Sequence, residues 1–273
     1  MSGYDGFEAL EREGWTDPAI ADGYVTRFAR ASDMAVPAVV RTIPEGASVL
    51  DLCCGQGNVT KALYDAGFSV AGADFSSQML DHARARLPEV DFIEADAQSL
   101  PFPADSFDAV TCTFGIMHIP DQPKALSEVA RILKPGGTFT MTAWCGPDRS
   151  QAFATLYPAV VQHADPSRQM PDQPDFHRFA NETVARDLLV GAGLAMTRHQ
   201  VVPCHWDLTA PEELAEIFHK GAPRGGKLMS IQPSENLAAI KAAMAAKVRA
   251  EFAHGDGWRV EIPAAMVVAL KPS

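Results

Sequence analysis

The sequence has few cysteines, and their spacing excludes two classes of site. Its 273 residues include five cysteines, and no two of them form a C-x-x-C pair. A zinc ribbon and a thioredoxin-like centre are therefore excluded, and we expect no metal site. Cys53, Cys112 and Cys145 lie in or beside apolar runs, so we expect them to be reduced, buried side chains in a reducing compartment.

Clustered basic residues and long apolar runs are also missing. The net charge is -11 and no basic stripe occurs, which argues against nucleic acid as a partner. The N-terminal residues lack the basic start and apolar stretch of a signal peptide. No apolar run approaches the roughly 20 residues that a membrane span needs. We therefore expect a cytosolic protein that has no membrane or nucleic-acid partner, and the oligomeric state stays open.

Short apolar strands alternate with amphipathic helices from about residue 47 to residue 145, a pattern typical of α/β folds. The predicted strands are Ser48–Leu52, Phe68–Ala73, Asp91–Ala95, Phe107–Phe114 and Thr138–Trp144. The predicted helices are Asn58–Ala66, a helix capped by Ser76 or Ser77 and ended by Pro88, and Gln122–Lys134. This order predicts a doubly wound, mostly parallel sheet.

The pattern is looser after Trp144, where residues 145–180 hold five prolines. We predict helices near 150–163, at Asn181–Gly193, near 211–220 and near 234–252, a long strand at Leu194–Leu208 and a last strand at Trp258–Leu270. The stretch 209–257 is thus predicted to be a helical excursion between two neighbouring strands. Such an excursion either covers an active site or decorates the surface.

A glycine turn and three acidic residues follow the ends of the first three predicted strands. The first strand contains Asp51 and runs into a turn with Gly55 and Gly57, while Asp74 and Asp96 end the next two strands. The carboxyl ends of parallel strands form the crevice in which such sheets bind ligands. Each acidic residue taken alone could equally be a helix cap or a solvated strand end. Together they predict a ligand site, and a carboxylate at Asp74 could accept hydrogen bonds from ribose hydroxyls.

Four stretches follow one another between residues 47 and 145: VLDLCCGQG, VAGADFSSQML, EADAQSLPFPADSFDAVTCTFGIMHIPD and RILKPGGTFTMTAW. In them the chain resembles the ubiquinone/menaquinone-biosynthesis type of class I methyltransferase. The resemblance implies a seven-stranded sheet with an antiparallel last strand. It also implies S-adenosyl-L-methionine as the cofactor and methyl transfer to an oxygen, nitrogen or carbon of a small organic molecule.

The resemblance further implies which residues contact the cofactor. It assigns the methionine part to Asp51, Gly55 and Gly57, the ribose to Asp74, the adenine to Phe75, Asp96 and Ala97, and the closing wall to Thr113 and Phe114. Cys53 stands where this family often has glycine, and we expect ordinary backbone angles there, with the turn beginning one residue later.

The same resemblance implies one domain, 1-273. Its cofactor-binding core is expected at about 40-145, and its acceptor-side lid segments at about 1-40, 145-180 and 209-257. Tyr24, on a helix before the core, either covers the cofactor or packs with Phe28, four residues later.

His118, after the fourth strand, is the candidate catalytic residue, since histidine titrates near neutral pH and can act as a base. The alternative is a histidine that shapes its loop. Trp144 and His177 could line an acceptor pocket or serve only in packing. The glycine-rich turn from Lys220 to Lys227 could dock an anionic group or act as a hinge.

Three other functions compete with methyl transfer. A cofactor-binding enzyme of this fold could catalyse a non-methylating reaction such as cyclisation. A nicotinamide-dependent enzyme is disfavoured, because the dinucleotide fingerprint wants glycine or alanine where Thr60 stands. A non-enzymatic interaction module would leave the glycine turn without a purpose.

Overall fold

The architecture is that of a computed structural model, which describes residues 3–273. The helices are α1 Asp5–Thr16, α2 Pro18–Gly23, α3 Ala29–Ser32, α4 Val36–Val40, α5 Asn58–Asp65, α6 Ser77–Arg86, α7 Gln122–Ile132, α8 Gln151–His163, α9 Glu182–Gly191, α10 Glu213–Gly221, α11 Pro223–Ser230 and α12 Ser234–Glu251. The strands are β1 Ser48–Leu52, β2 Ser69–Asp74, β3 Phe92–Glu94, β4 Phe107–Thr113, β5 Leu133–Trp144, β6 Ala195–Val202, β7 His205–Leu208, β8 Ala253–His254, β9 Gly257–Glu261 and β10 Ala264–Leu270.

The main sheet has seven strands in the order β3-β2-β1-β4-β5-β10-β6. The pairs β2–β3, β1–β2, β1–β4 and β4–β5 are parallel, while β10 is antiparallel to both β5 and β6. The chain reverses its direction of winding between β1 and β4, which is the switch point of a doubly wound sheet. The predicted fold class and the antiparallel last strand are confirmed.

Helix starts follow the capping residues in the sequence. The Ser76 side chain accepts a hydrogen bond from Met79 N at the start of α6, and Asn181 caps α9 in the same way. These side chains satisfy backbone N–H groups that the first turn leaves unpaired. The helix predicted to run to Lys134 ends at Ile132, because Leu133 already pairs with Phe107 as part of β5.

Two predicted strands are each divided in two by a proline. The run Leu194–Leu208 was expected to be continuous, but Pro203 separates β6 from β7. In the same way Pro263 separates β9 from β10, so the prediction of a single strand Trp258–Leu270 was also wrong. Proline has no N–H to donate to a sheet ladder. At these breaks both strands leave the main sheet, and β7, β9 and β8 form a second sheet of three strands.

The excursion between β7 and β9 consists of α10, α11 and α12 followed by β8. The turn predicted from Lys220 to Lys227 is wrong, since α11 begins at Pro223 and contains both of that segment's later glycines. Helix α10 contacts α2, and α11 contacts α1, so the excursion meets the N-terminal segment. Within residues 3–273, no helix is both long and apolar enough to cross a bilayer.

Candidate functional site

A cleft lies at the carboxyl ends of β1 to β4, with α1 as its outer wall. It encloses about 1050 Å³, including open space at its mouth, which is the size class of small-molecule sites. Nine of the ten residues expected to hold a cofactor line it: Asp51, Gly55, Asp74, Phe75, Asp96, Ala97, Thr113, Phe114 and Tyr24. The strand-end residues that the sequence singled out therefore come together.

Gly57 is the expected residue that the structure does not place in this lining. It has a φ of +77°, and a Cβ there would lie 3.2 Å from Ala83 Cβ, on the side of α6. Its lack of a side chain therefore serves the packing of the turn against α6, while Gly55 is the turn glycine that faces the cleft.

Asp51 is 1% exposed and holds three elements together. One carboxylate oxygen accepts a hydrogen bond from the Thr60 hydroxyl of α5 at 2.6 Å, and the other accepts from the Thr111 hydroxyl of β4 at 2.8 Å. Burial raises the pKa of Asp51 to about 6, although both hydroxyls favour the charged form. Thr60, which argued against a dinucleotide site, is buried behind the cleft and holds Asp51 in place.

Asp74 fixes the glycine turn to the end of β2. One oxygen accepts a hydrogen bond from Gly55 N at 2.9 Å, and the other accepts from Ser76 N at 2.9 Å. Burial raises the pKa of Asp74, and the backbone donors oppose that rise. A carboxylate positioned in this way presents its remaining lone pairs toward the cleft.

The turn begins at Cys53 and not one residue later, which corrects the expectation drawn from the sequence. Cys53 has a φ of 54°, in the left-handed region that side chains other than glycine rarely adopt. Close packing against Gly115 holds the Cys53 backbone in this conformation, since a Cβ added to Gly115 would lie 2.3 Å from Cys53 Cβ. Hydrogen bonding with Cys112 and burial raise the pKa of Cys53, so it stays a neutral thiol.

The subsite expected for adenine is crossed by Arg12 of α1. Its guanidinium lies 5.5 Å from the centre of the Phe75 ring and donates to Asp96 Oδ2 at 2.5 Å. Burial alone would raise the pKa of Asp96, but hydrogen bonds from Gln98 and Arg12 lower it. Arg12 was not among the residues predicted for the site, because Phe75 and Asp96 lie far away along the chain and only Glu8 is close.

A second group on α1 fixes His118. Glu11 is 2% exposed, and its Oε2 lies 2.9 Å from His118 Nδ1 and accepts a hydrogen bond from Trp15 Nε1 at 3.0 Å. The Trp15 and His118 rings also meet edge to face, with centroids 5.3 Å apart. Sequence analysis missed Glu11 and Trp15, whose spacing of four residues marks only one helix face.

Tyr24 combines the two roles that were open for it. Its ring stacks on Phe28 with centroids 5.8 Å apart, and its hydroxyl lies 3.1 Å from Ser32 Oγ. Burial raises the pKa of Tyr24 to about 12, so the hydroxyl stays neutral. The residue lines the cleft and also packs the N-terminal segment onto the core.

A second cavity of about 760 Å³ lies between α8, the segment 170–176 and the helices α10 and α11. Five of its lining residues are phenylalanine or tyrosine, and His118 lines both this cavity and the cleft. Trp144 and His177 stand behind the walls: Trp144 stacks on Phe114, and His177 Nε2 lies 2.7 Å from the Tyr157 hydroxyl. Among residues 3–273, no three His, Cys, Asp or Glu side chains are grouped to hold a metal ion.

The strand order, the single antiparallel strand and the cleft at the switch point define the Rossmann-like fold of class I methyltransferases. Residues 49–137 match a family model described as a methyltransferase domain. Demethylmenaquinone methyltransferase of Renibacterium salmoninarum is 37% identical over 152 residues, which make up 56% of this chain and 62% of that protein. Over residues 49–137 the chain is therefore similar to methyltransferase domains, and over about half of its length it is similar to the menaquinone type.

The chain spans less than two thirds of the length of the first curated relatives that it matches. Among solved structures, a methyltransferase-like protein of Bacillus halodurans has a TM-score of 0.58 at 21% identity and covers 89% of this chain and 100% of its own. The [4+2]-cyclase SpnF has a TM-score of 0.54 at 20% identity and covers 88% of this chain and 81% of its own. These two similarities show the fold alone, and the fold does not determine the reaction.

Proposed function

We propose that this protein transfers a methyl group from S-adenosyl-L-methionine to a small organic acceptor. The cofactor would occupy the cleft at the ends of β1 to β4, and the acceptor would occupy the second cavity. The observation that carries the proposal is the position of His118, which lines both spaces where they adjoin. The names of the sequence relatives support the reaction type.

The residues of the cleft suit the proposed cofactor. Thr113 Oγ1 is buried at the cleft wall and has no hydrogen-bond partner, so a polar ligand atom would satisfy it. Asp74 and Asp96 offer carboxylates to ribose hydroxyls and to an adenine amino group, and Phe75 offers a ring face. When bound, the cofactor would supply an electrophilic methyl group on a sulfonium.

The protein's own contribution is to position the acceptor and to hold its proton. With Nδ1–H of His118 donating to the Glu11 carboxylate, Nε2 carries a free lone pair. That nitrogen can accept a proton from an acceptor hydroxyl or amine, and the Glu11 charge stabilises the imidazolium that forms. Trp15 Nε1 donates to the same Glu11 oxygen, which orients the carboxylate toward the His118 ring.

The aromatic wall of the second cavity favours a planar, mostly apolar acceptor. Phe153 and Phe218 are each less than 5% exposed and form part of that wall. A quinone-like acceptor, as in the named relatives, has this shape. We propose a single domain, 1-273, in which the segments 1–40, 145–180 and 209–257 form the acceptor side.

The first experiment is calorimetry with S-adenosylhomocysteine and S-adenosyl-L-methionine. We expect micromolar binding to the wild type and at least tenfold weaker binding to Asp74→Ala, because the turn and the ribose would both lose their carboxylate. Asp256→Ala, an exposed carboxylate outside the cleft, should bind like the wild type. Failure of the wild type to bind either ligand would refute the proposal.

The second experiment addresses His118. His118→Ala should bind S-adenosylhomocysteine like the wild type but transfer methyl label to acceptors at least a hundredfold more slowly, the usual contribution of a positioned base. Equal loss of binding and transfer would instead mean that His118 only shapes the cleft.

A further inference from the structure

The second cavity has one permanently charged side chain in its wall. Five of its lining residues are aromatic: Phe28, Phe153, Tyr157, Phe176 and Phe218. Tyr157 stays neutral, since burial raises its pKa to about 12. Arg224, on the first turn of α11, is the residue in the same wall that carries a full positive charge.

Within residues 3–273, Arg224 has no hydrogen-bond or ion-pair partner. Its Nη1 is buried without one, and its close contacts are ring faces: the guanidinium carbon lies 4.2 Å from the centre of the Phe176 ring and 5.7 Å from that of Phe7. The Glu11 and Asp175 carboxylates attract it, but neither pairs with it. Burial lowers the pKa of Arg224, yet a guanidinium stays protonated.

Such an arrangement costs free energy in the empty protein. A buried charge without a hydrogen-bonded counterion is expensive, and ring faces replace only part of its lost hydration. The Gln173 amide oxygen in the same wall is also buried without a partner. The wall of this apolar cavity therefore holds one hydrogen-bond donor, Arg224, and one acceptor, Gln173, that both lack a partner.

We infer that the second cavity binds a planar, aromatic or polyunsaturated acid, whose anionic group pairs with Arg224. The Gln173 oxygen would accept a hydrogen bond from a hydroxyl or amine of the same molecule. This inference rests on the proposed function in one respect, which is that the bound acid is taken to be the methyl acceptor. A neutral quinone would fill the apolar space but would leave the Arg224 charge uncompensated, so the geometry favours the acid.

The test compares acids with their uncharged amides of the same shape. Benzoate, 2-naphthoate and 4-phenylbenzoate are each measured beside their amides by calorimetry, with and without S-adenosylhomocysteine. We expect at least one acid to bind about tenfold more tightly than its amide, which is the scale of a charge-assisted hydrogen-bonded pair. Arg224→Gln should abolish that preference, and Arg224→Lys should keep part of it.

Arg249→Gln is the matched control, because Arg249 is exposed and pairs with Glu212 on the protein surface. It should keep the full preference for the acid. A melting transition and S-adenosylhomocysteine binding show that each variant is folded. The inference is overturned if no acid binds, if acids and amides bind equally, or if the preference survives Arg224→Gln. Acid preference in a protein that does not bind S-adenosylhomocysteine would refute only the proposed function.

Discussion

Single residues in the cleft hold segments that are distant in sequence. Asp51 accepts hydroxyl hydrogen bonds from α5 and β4, and Asp74 accepts backbone hydrogen bonds from the glycine turn and from the start of α6. Both carboxylates are nearly inaccessible, so each lost donor leaves a buried oxygen without a partner. These two side chains therefore couple the geometry of the cleft to the stability of the core.

Replacing Thr60 by valine tests this coupling. The change keeps the side-chain shape but removes the hydroxyl that donates to Asp51 at 2.6 Å. We expect the free energy of unfolding to fall by about 1–3 kcal/mol, measured by urea denaturation. Thr183→Val, at an exposed position of α9, is the control and should change it by less than about 0.5 kcal/mol. Equal losses in the two variants would mean that the Asp51 hydrogen bond contributes nothing.

The raised pKa of Asp51 predicts a pH dependence of stability. The folded protein holds this proton up to about pH 6, while the ordinary carboxyl value is 3.8. The contribution of protonated Asp51 to the free energy of unfolding is therefore fully present below about pH 3.8. It is lost as the pH rises through 6, by roughly 3 kcal/mol in all. Comparing wild type with Asp51→Asn by urea denaturation at pH 4 and pH 7.5 isolates it, because carboxylates that do not interact with Asp51 titrate alike in both.

The expected sign is that the stability of the wild type relative to Asp51→Asn decreases between these two pH values. A difference that is constant with pH would show that Asp51 has an ordinary pKa. Asp256→Asn, at an exposed position, should show no such change.

The residues of the cleft could be predicted only in part. Asp74, Asp96 and Thr113 follow strand ends, and strand ends are visible as apolar runs that stop. Glu11 could not be found, because His118 lies 107 positions away and no spacing rule connects the two. Arg224 lies in the segment considered for anion docking, but its place on a helix and against the Phe176 ring was not predicted. The backbone of Cys53 was mispredicted for the same reason: its unusual φ is enforced by tertiary packing against Gly115.

At the scale of helices and strands, local sequence rules predicted most helix starts. They failed where contacts with distant segments determine where an element begins or ends. The Ser76 and Asn181 caps mark helix starts directly. The breaks at Pro203 and Pro263 were missed, because apolar residues continue on both sides of each proline. Helix α11 was missed because glycines lower helix propensity, whereas here Gly225 allows close contact: a Cβ on it would lie 2.4 Å from Phe218 O.

The packing of α2 on α10 depends on a glycine as well. A Cβ added to Gly23 would lie 1.8 Å from the carbonyl oxygen of Lys220, which is backbone and cannot move aside. Gly23→Ala should therefore separate the N-terminal segment from α10 and lower the free energy of unfolding by about 1–3 kcal/mol in urea denaturation.

Gly191→Ala is the matched control, since Gly191 ends α9 and a Cβ there meets nothing within 4 Å. It should be neutral or stabilise by up to about 1 kcal/mol. Similar effects of the two substitutions would contradict close packing at Gly23.

At the scale of the whole molecule, helices α1 and α11 form one cover, with α1 over the cleft and α11 over the second cavity. Helix α1 supplies Glu11 and Arg12 to the cleft, and it packs on α11, where Gly14 meets Pro223. Helix α11 in turn supplies Arg224 to the second cavity. A ligand in either space therefore contacts one of two helices that pack against each other.

This shared cover predicts where ligand binding slows hydrogen exchange. With saturating S-adenosylhomocysteine, backbone amides of α1 and α11 should exchange at least tenfold more slowly, because ligand bound only to the closed form shifts local opening. Helix α9, which packs against α7 and β6, should be unchanged. Uniform slowing across the chain would indicate global stabilisation without closure of the cover.

The excursion that carries Arg224 leaves the fold through β7 and returns through β9, and these two strands are hydrogen-bonded neighbours. Its ends thus meet across one strand pair, with Leu208 opposite Trp258. A segment anchored in this way can lengthen, shorten or be exchanged between relatives while the ends of β1 to β4 keep their positions. Under the proposed function, the preference for an acceptor could therefore change through this segment alone, without any change in the cleft that would bind the cofactor.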